Sequence, residues 1–122
     1  MTVTYDRDDD KRRIIVKVAG PFDLAAALAI VAHLAADAGW AYGILYDTHD
    51  LTDLPSMTAL QTIVDRVQIV TAQRPRGPVA VVTSDRAAYE MAEVYASRLE
   101  GKVNVAVFRT PDDARQWLDG YR

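Results

Sequence analysis

Residues 78–84 read PVAVVTS, an unbroken apolar run carrying three valines. A strand with one wet face alternates polar and apolar residues. A run with no polar face, rich in β-branched side chains, has the pattern of a strand buried on both faces in a parallel sheet. Parallel neighbours cannot be joined by a tight turn, so such a strand implies crossover helices on either side of it in the chain.

The flanking sequence supplies them. Residues 57–73 place Met57, Leu60, Ile63, Val64, Val67, Val70 and Thr71 on one face at the helical period, with Ile69 on the other. Pro75 and Gly77 end that helix. Ser84 or Asp85 caps the next, whose face carries Ala88, Met91, Ala92, Tyr95 and Leu99 before Gly101 closes it. Residues 102–108 form the last strand. Thr110, Pro111, Asp112 and Asp113 then make the clearest helix start in the chain: a capping hydroxyl, a proline at the first helical position and two carboxylates at the positive end of the dipole. Towards the N-terminus, residues 2–5 and 13–20 read as a β-hairpin closed by the charged stretch DRDDDKR, a solvated turn. Asp23 caps a helix over 24–38 that buries Leu24, Ala27, Leu28, Val31, Leu34, Ala35 and Ala38, faces His33 to solvent and stops at Gly39. Residues 42–47, YGILYD, make the strand between the first two helices.

The expected architecture is therefore α/β: an N-terminal hairpin, then alternating strand–helix units in a mixed, mostly parallel five-stranded sheet with four helices. With 122 residues the chain is one domain, 1–122. Half its residues are hydrophobic and a quarter charged, and the net charge is -3. That balance argues against a nucleic-acid partner, whose phosphates call for a basic stripe. The absence of cysteine excludes disulfides, thiol catalysis and thiolate-held zinc, and fits a reducing compartment. The charged N-terminus predicts no signal peptide, and no apolar segment is long enough for membrane insertion. The expected location is the cytoplasm of a bacterial cell.

The outer strands carry a further expectation. Ile14, Val16 and Val18 alternate with Ile15, Lys17 and Ala19, and Val103, Val105 and Val107 with Asn104, Ala106 and Phe108. Each strand has one strongly apolar and one mixed face. If the helices crowd onto the first, Ile15 and Phe108 lie in an open apolar patch. Ile69 and Trp40 are two more apolar groups that the helix patterns leave without a core partner. Together these residues predict self-association as a homodimer. The alternative is that one helix, with the first as the candidate, crosses to the mixed face and buries it.

The order of elements resembles the STAS domain, above all the small stand-alone SpoIIAA-like proteins. The segments IIVKVAGPFDLAAALAIVAHL, GILYDTHDLTDLPSMTALQTIV and VAVVTSD…VNVAVFRTPDDARQWL carry the resemblance over nearly the whole chain. The likeness implies a non-enzymatic regulatory or protein-interaction domain with partner recognition centred on the loop before the third element pair's helix, here Asp47, His49, Asp50, Asp53, Ser56, Met57 and Thr58. It also implies a departure. The family's antagonists carry aspartate-serine-serine-glycine at the helix start, where a serine is phosphorylated. This chain has PSMT, residues 55–58. The phosphorylated position falls on Met57, between Ser56 and Thr58. The overall pattern is closer to the STAS/SEC14-type branch, which implies, as an alternative, a binding module for a small apolar or amphipathic ligand.

The stretch YDTHDLTDLPSM also admits a third reading, a metal-dependent or hydrolytic activity over residues 47–56. Carboxylates and an imidazole can ligate a cation, and a serine before a helix faces free amides. The simpler expectation is that Asp47 or Asp50 bonds backbone amides and that Asp53 or Ser56 caps the helix, with no metal, cofactor or catalytic residue. Metal sites draw ligands from a second segment, and no other His/Asp cluster stands opposite. Ser56 also lacks the glycine-flanked elbow that exposes a nucleophile.

Overall fold

The computed structural model describes residues 1–121. The chain runs β1 (Thr2–Asp8), β2 (Arg13–Gly20), α1 (Leu24–Ala35), a 3-10 turn (Ala38–Ala41), β3 (Gly43–Leu51), α2 (Met57–Thr71), β4 (Val79–Val82), α3 (Arg86–Arg98), β5 (Val105–Phe108) and α4 (Pro111–Asp119). Strand order in the sheet is the same as chain order; β1 pairs antiparallel with β2 and every later pair is parallel.

That unreversed order places the helices. A parallel crossover is right-handed, and successive crossovers stepping the same way along a sheet deposit their helices on the same face. So α1, α2 and α3 share one face. There Ile14, Val16, Val18, Ile44, Val79 and Val81 meet Ile30, Val31, Leu34, Val64, Val67 and Leu99. The last helix follows no crossover, and it folds to the opposite face. Its Ala114 and Leu118 cover Leu45, Ala80 and Val82, with Ile15, Phe108 and Trp117 at the margin. β4 is buried at all four positions because helices lie on both sides of it.

The capping residues hold as expected. Asp23 accepts from Ala25 N, Ser56 from Ala59 N, Asp85 from Ala88 N and Thr110 from Asp113 N. In the hairpin turn the carboxylate of Asp9 is engaged rather than merely solvated: Tyr42 Oη donates to it at 2.6 Å and Arg7 Nε at 2.7 Å. Those two partners, the tyrosine hydroxyl foremost, hold the Asp9 carboxyl below its ordinary value.

Three expectations are corrected. First, α1 ends at Ala35 rather than at 38, and Ala38 is exposed. Asp37 intervenes: its carboxylate accepts from Gly39 N at 2.7 Å and starts a separate 3-10 turn, a competition with helix that short acidic side chains win locally. Gly39 lies inside that turn, not at a helix stop. Second, β3 does not end at Asp47 but runs to Leu51. Past a register shift between Lys17 and Ala19, Asp50 and Leu51 pair with Ala19 and Gly20 of β2. Asp47, His49 and Asp50 are therefore strand residues; Asp47 pairs with Val82, and His49 and Asp50 overhang the shorter β4. Third, Met57 does not join the helix core. It is 46% exposed, while Leu60, Val64 and Val67 carry the buried stripe.

The surface expected to pair two copies of the chain is changed most. Trp40 is only 1% exposed, so it is a core residue and not an interface residue. It sits in the 3-10 turn, where no periodicity reveals a face. Phe108 is half-buried and lies against the Trp117 ring, centroids 5.6 Å apart, and Ile15 borders the same cluster. The helix crossing to the mixed face is the last one, α4. Ile69, 60% exposed, keeps its expected place in solvent. A charge at Phe108 is thus expected to unfold the protein rather than to dissociate it. Phe108→Asp should lower the urea midpoint with no change in sedimentation of the fraction that stays folded; a folded variant with altered mass would instead restore the back face as an interface.

Candidate functional site

α3 and α4 approach the sheet closely, whereas α1 and α2 pack mainly on each other. Between these helices and the sheet lies a cleft of about 440 Å³, within the range of about 300–1,000 Å³ common for small-molecule sites. Its walls are apolar: Ile30, Val31 and Leu34 from α1, Leu60, Ile63 and Val67 from α2, Met91 and Ala92 from α3, and Val79 and Val81 from the sheet.

One end of the cleft is open and polar. His49, Asp53 and Asp85 line it there and are exposed. Thr48 is tied to the end of β4 by a 2.9 Å bond from its hydroxyl to Val82 O. Ser84 Oγ lies 2.8 Å from His49 Nδ1. Asp53 accepts from the Phe22 amide and so joins the turn before α1 to the turn before α2.

Three more polar groups, Tyr46, Tyr95 and Arg76, line the cleft, each partly buried. Burial pushes both phenols above their ordinary value. Among the described residues neither hydroxyl has a hydrogen-bond partner. Arg76 lies over the Trp40 ring at 4.1 Å, and its Nη1 donates to Trp40 O at a long 3.4 Å. Its Nε is fully enclosed and has no acceptor. Burial pulls the guanidinium down to about 10, with Tyr95 acting weakly in the other direction, so it stays charged at neutral pH. No carboxylate among the described residues pairs with it. A buried donor left without an acceptor costs about 1–3 kcal/mol, of which stacking of the guanidinium on an aromatic face offsets about 0.5–1 kcal/mol.

The seven residues singled out from the sequence do not converge on one point. His49 and Asp53 border the cleft; Asp47, Asp50, Ser56, Met57 and Thr58 do not. Asp47 accepts from the His49 main-chain amide at 3.0 Å, the local task expected of it. Ser56 is engaged as a cap at 3.1 Å. Among the described residues no three His, Asp or Glu side chains come together as a metal would require. Ser56→Ala is expected to cost about 0.5–2 kcal/mol, read by urea unfolding, with Ser56→Asp near neutral; equal losses in both would show that the cap is not the role.

Two features escape sequence reasoning. Ser84 and His49 stand 35 residues apart and meet only because β3 overhangs β4. The pair resembles a nucleophile and base, but Asp47 holds the His49 backbone and not its ring, and among the described residues no third group bonds the imidazole. Arg76 reads in the sequence only as part of a helix-ending RPRGP turn.

With this geometry in view, neither a protein-family model nor a curated protein matches the sequence. Solved structures do match. An uncharacterised protein of the DUF3478 family from Shewanella loihica PV-4, described as having a SpoIIAA-like fold, superposes with a TM-score of 0.61 at 17% identity, over 96% of this chain and 92% of its own. The anti-sigma factor antagonist SpoIIAA in its unphosphorylated form superposes with a TM-score of 0.59 at 14% identity, over 98% and 97%. The fold is SpoIIAA-like. This agrees with the resemblance carried by the three sequence segments, and the likeness extends through both the hairpin and α4. Among the described residues no helix is long and apolar enough to cross a membrane.

Proposed function

We propose that this chain is a non-enzymatic regulatory module, working in the cytoplasm, that takes a small apolar or amphipathic molecule into the cleft between its helices and the sheet. The observation that carries this reading is the cleft itself: about 440 Å³ of apolar-walled space with a few polar groups on its lining. A core of this size ordinarily fills its interior with side chains, and apolar walls around a space are favourable to a ligand that replaces water there. The test is stability. A ligand that binds only the folded state raises stability by RT ln(1 + [L]/Kd), about 2.7 kcal/mol at a hundredfold excess over Kd. A panel of medium-chain amphiphiles is expected to raise the melting temperature, and Ala88→Phe, which adds a ring to the cleft wall, is expected to remove the rise. No shift from any member of the panel would end this reading.

A second reading, recognition of a protein partner, has its own observation. Leu54 is 38% and Met57 46% exposed, on the segment that leads from the open end of the cleft into α2. Two large apolar groups side by side in solvent are suited to contact. SpoIIAA is described as an anti-sigma factor antagonist with an unphosphorylated form; here the corresponding position is Met57, and the flanking hydroxyls, Ser56 and Thr58, are exposed. A phosphate on Ser56 would sit at the positive end of α2. Intact-mass spectra of natively expressed protein without a phosphorylated species in any growth condition would remove a phosphorylation switch and leave unmodified recognition. A homodimer built on the back face does not belong to this reading, because α4 covers that face.

A further inference from the structure

The polar groups around Arg76 say what kind of ligand head would fit, on the reading that the cleft binds an amphiphile. Charge is distributed unevenly along it. The open end is acidic, with Asp53 and Asp85 both bordering it. Elsewhere on the cleft lining stands a cation, Arg76, which among the described residues has no carboxylate partner and no acceptor for its buried Nε. Tyr95 interacts with it and Tyr46 with Tyr95 in turn, and among the described residues neither phenol hydroxyl has a hydrogen-bond partner. Tyr46 stands opposite Val81 of β4, and His49 lies further along β3, roughly 10 Å away at about 3.3 Å per residue.

We propose that the cleft selects a single-chain amphiphile with an anionic head, held by Arg76 with the Tyr46 and Tyr95 hydroxyls as further donors, its chain lying along the apolar walls towards His49. Three physical points converge. An anion would supply the missing counter-charge of Arg76, and a charge-assisted bond inside a low-dielectric site is stronger than one in water. Phenols kept neutral by burial can only help an anion, as donors. An anionic head at the open end would meet Asp53 and Asp85 and be repelled. Stacking on Trp40 explains how Arg76 is held but leaves its Nε and its charge unanswered.

Carboxylate and phosphate heads share this chemistry, so the experiment includes both. Protein stripped of bound lipid is titrated with dodecanoate, dodecyl phosphate and dodecan-1-ol below their aggregation concentrations. Calorimetry is the readout, with Trp40 fluorescence as a second one because the ring lies against the anchoring guanidinium. The expected result is binding of at least one anion roughly ten- to a hundredfold tighter than the alcohol. Whichever anion is tighter names the head. Arg76→Gln should bring anions and alcohol to similar affinity, and Arg76→Lys should keep part of the preference. Should Arg76→Gln fail to fold, the comparison of anions with alcohol on the unaltered chain still decides. Equal affinities there overturn the anionic head while leaving the apolar cleft in place. Binding of none of the three overturns both.

Discussion

Gly77→Ala is expected to be among the most damaging single-methyl changes in this protein, with a loss of about 3 kcal/mol or more in urea unfolding. A Cβ on Gly77 would lie 2.1 Å from Tyr42 O and 2.5 Å from Ala41 O. Both contacts are backbone atoms, so no rotamer change relieves them. The glycine is there because the RPRGP turn and the 3-10 turn press their main chains together, and Gly77 N donates to Trp40 O at 3.1 Å across the same junction. Moving one segment away breaks that bond and loosens the seat of Trp40 and Arg76 together. Gly101→Ala is the control. Gly101 has φ of +81° and open space around the added methyl, so its cost is conformational alone, about 1–2 kcal/mol. Similar losses at the two sites would mean that the close approach at Gly77 is not present in solution.

Trp40→Ala is the second large effect. The indole is 1% exposed, and its Nε1 donates to Arg74 O at 3.2 Å. Truncating a buried tryptophan costs about 3–5 kcal/mol. Here it also strips the aromatic face from under Arg76. Trp40→Phe retains much of the apolar volume and loses the one hydrogen bond, so it should cost distinctly less, with about 1 kcal/mol of its loss from that bond. A loss under about 1 kcal/mol for the alanine variant would show an exposed tryptophan, and with it a surface available for self-association. Because Trp40 positions Arg76 and does not itself reach the cleft lining, Trp40→Phe should keep apolar binding in the cleft.

These two sites tie the fold to the proposed function. The junction of the 3-10 turn with the RPRGP turn seats Arg76, which lines the cleft. The β3 overhang, with Thr48 bonded to Val82 O and His49 to Ser84, shapes the open end. Between them α2 is joined to α3 at its flank by polar bridges: Arg98 donates to Gln61 at 2.7 Å, and Gln68 to Arg98 O at 3.4 Å. The helices are thus held apart by defined contacts, which lets the space beneath them persist without a filling side chain.

Whatever repeats at a local period or depends on near neighbours was already legible in the order of residues. The all-apolar run of β4, the buried set Ile14, Val16 and Val18, the exposed His33 and Ile69, and the caps at Asp23, Ser56 and Thr110 were legible for that reason: each is set by the strand or helix period or by a bond spanning two or three residues. Asp47 was legible as an amide acceptor, but the strand through it was not, because pairing of Asp50 with Ala19 depends on a bulge in another strand. Only the tertiary structure decided that α4 crosses to the back face and covers Phe108, that Trp40 is core, that Ser84 meets His49, and that Arg76 stands charged on the lining of a cleft. Trp40 touches Arg74 and Arg76, 34 and 36 residues away. Contacts at that separation follow from strand order and crossover handedness, which place whole elements, and no spacing of neighbouring residues records them.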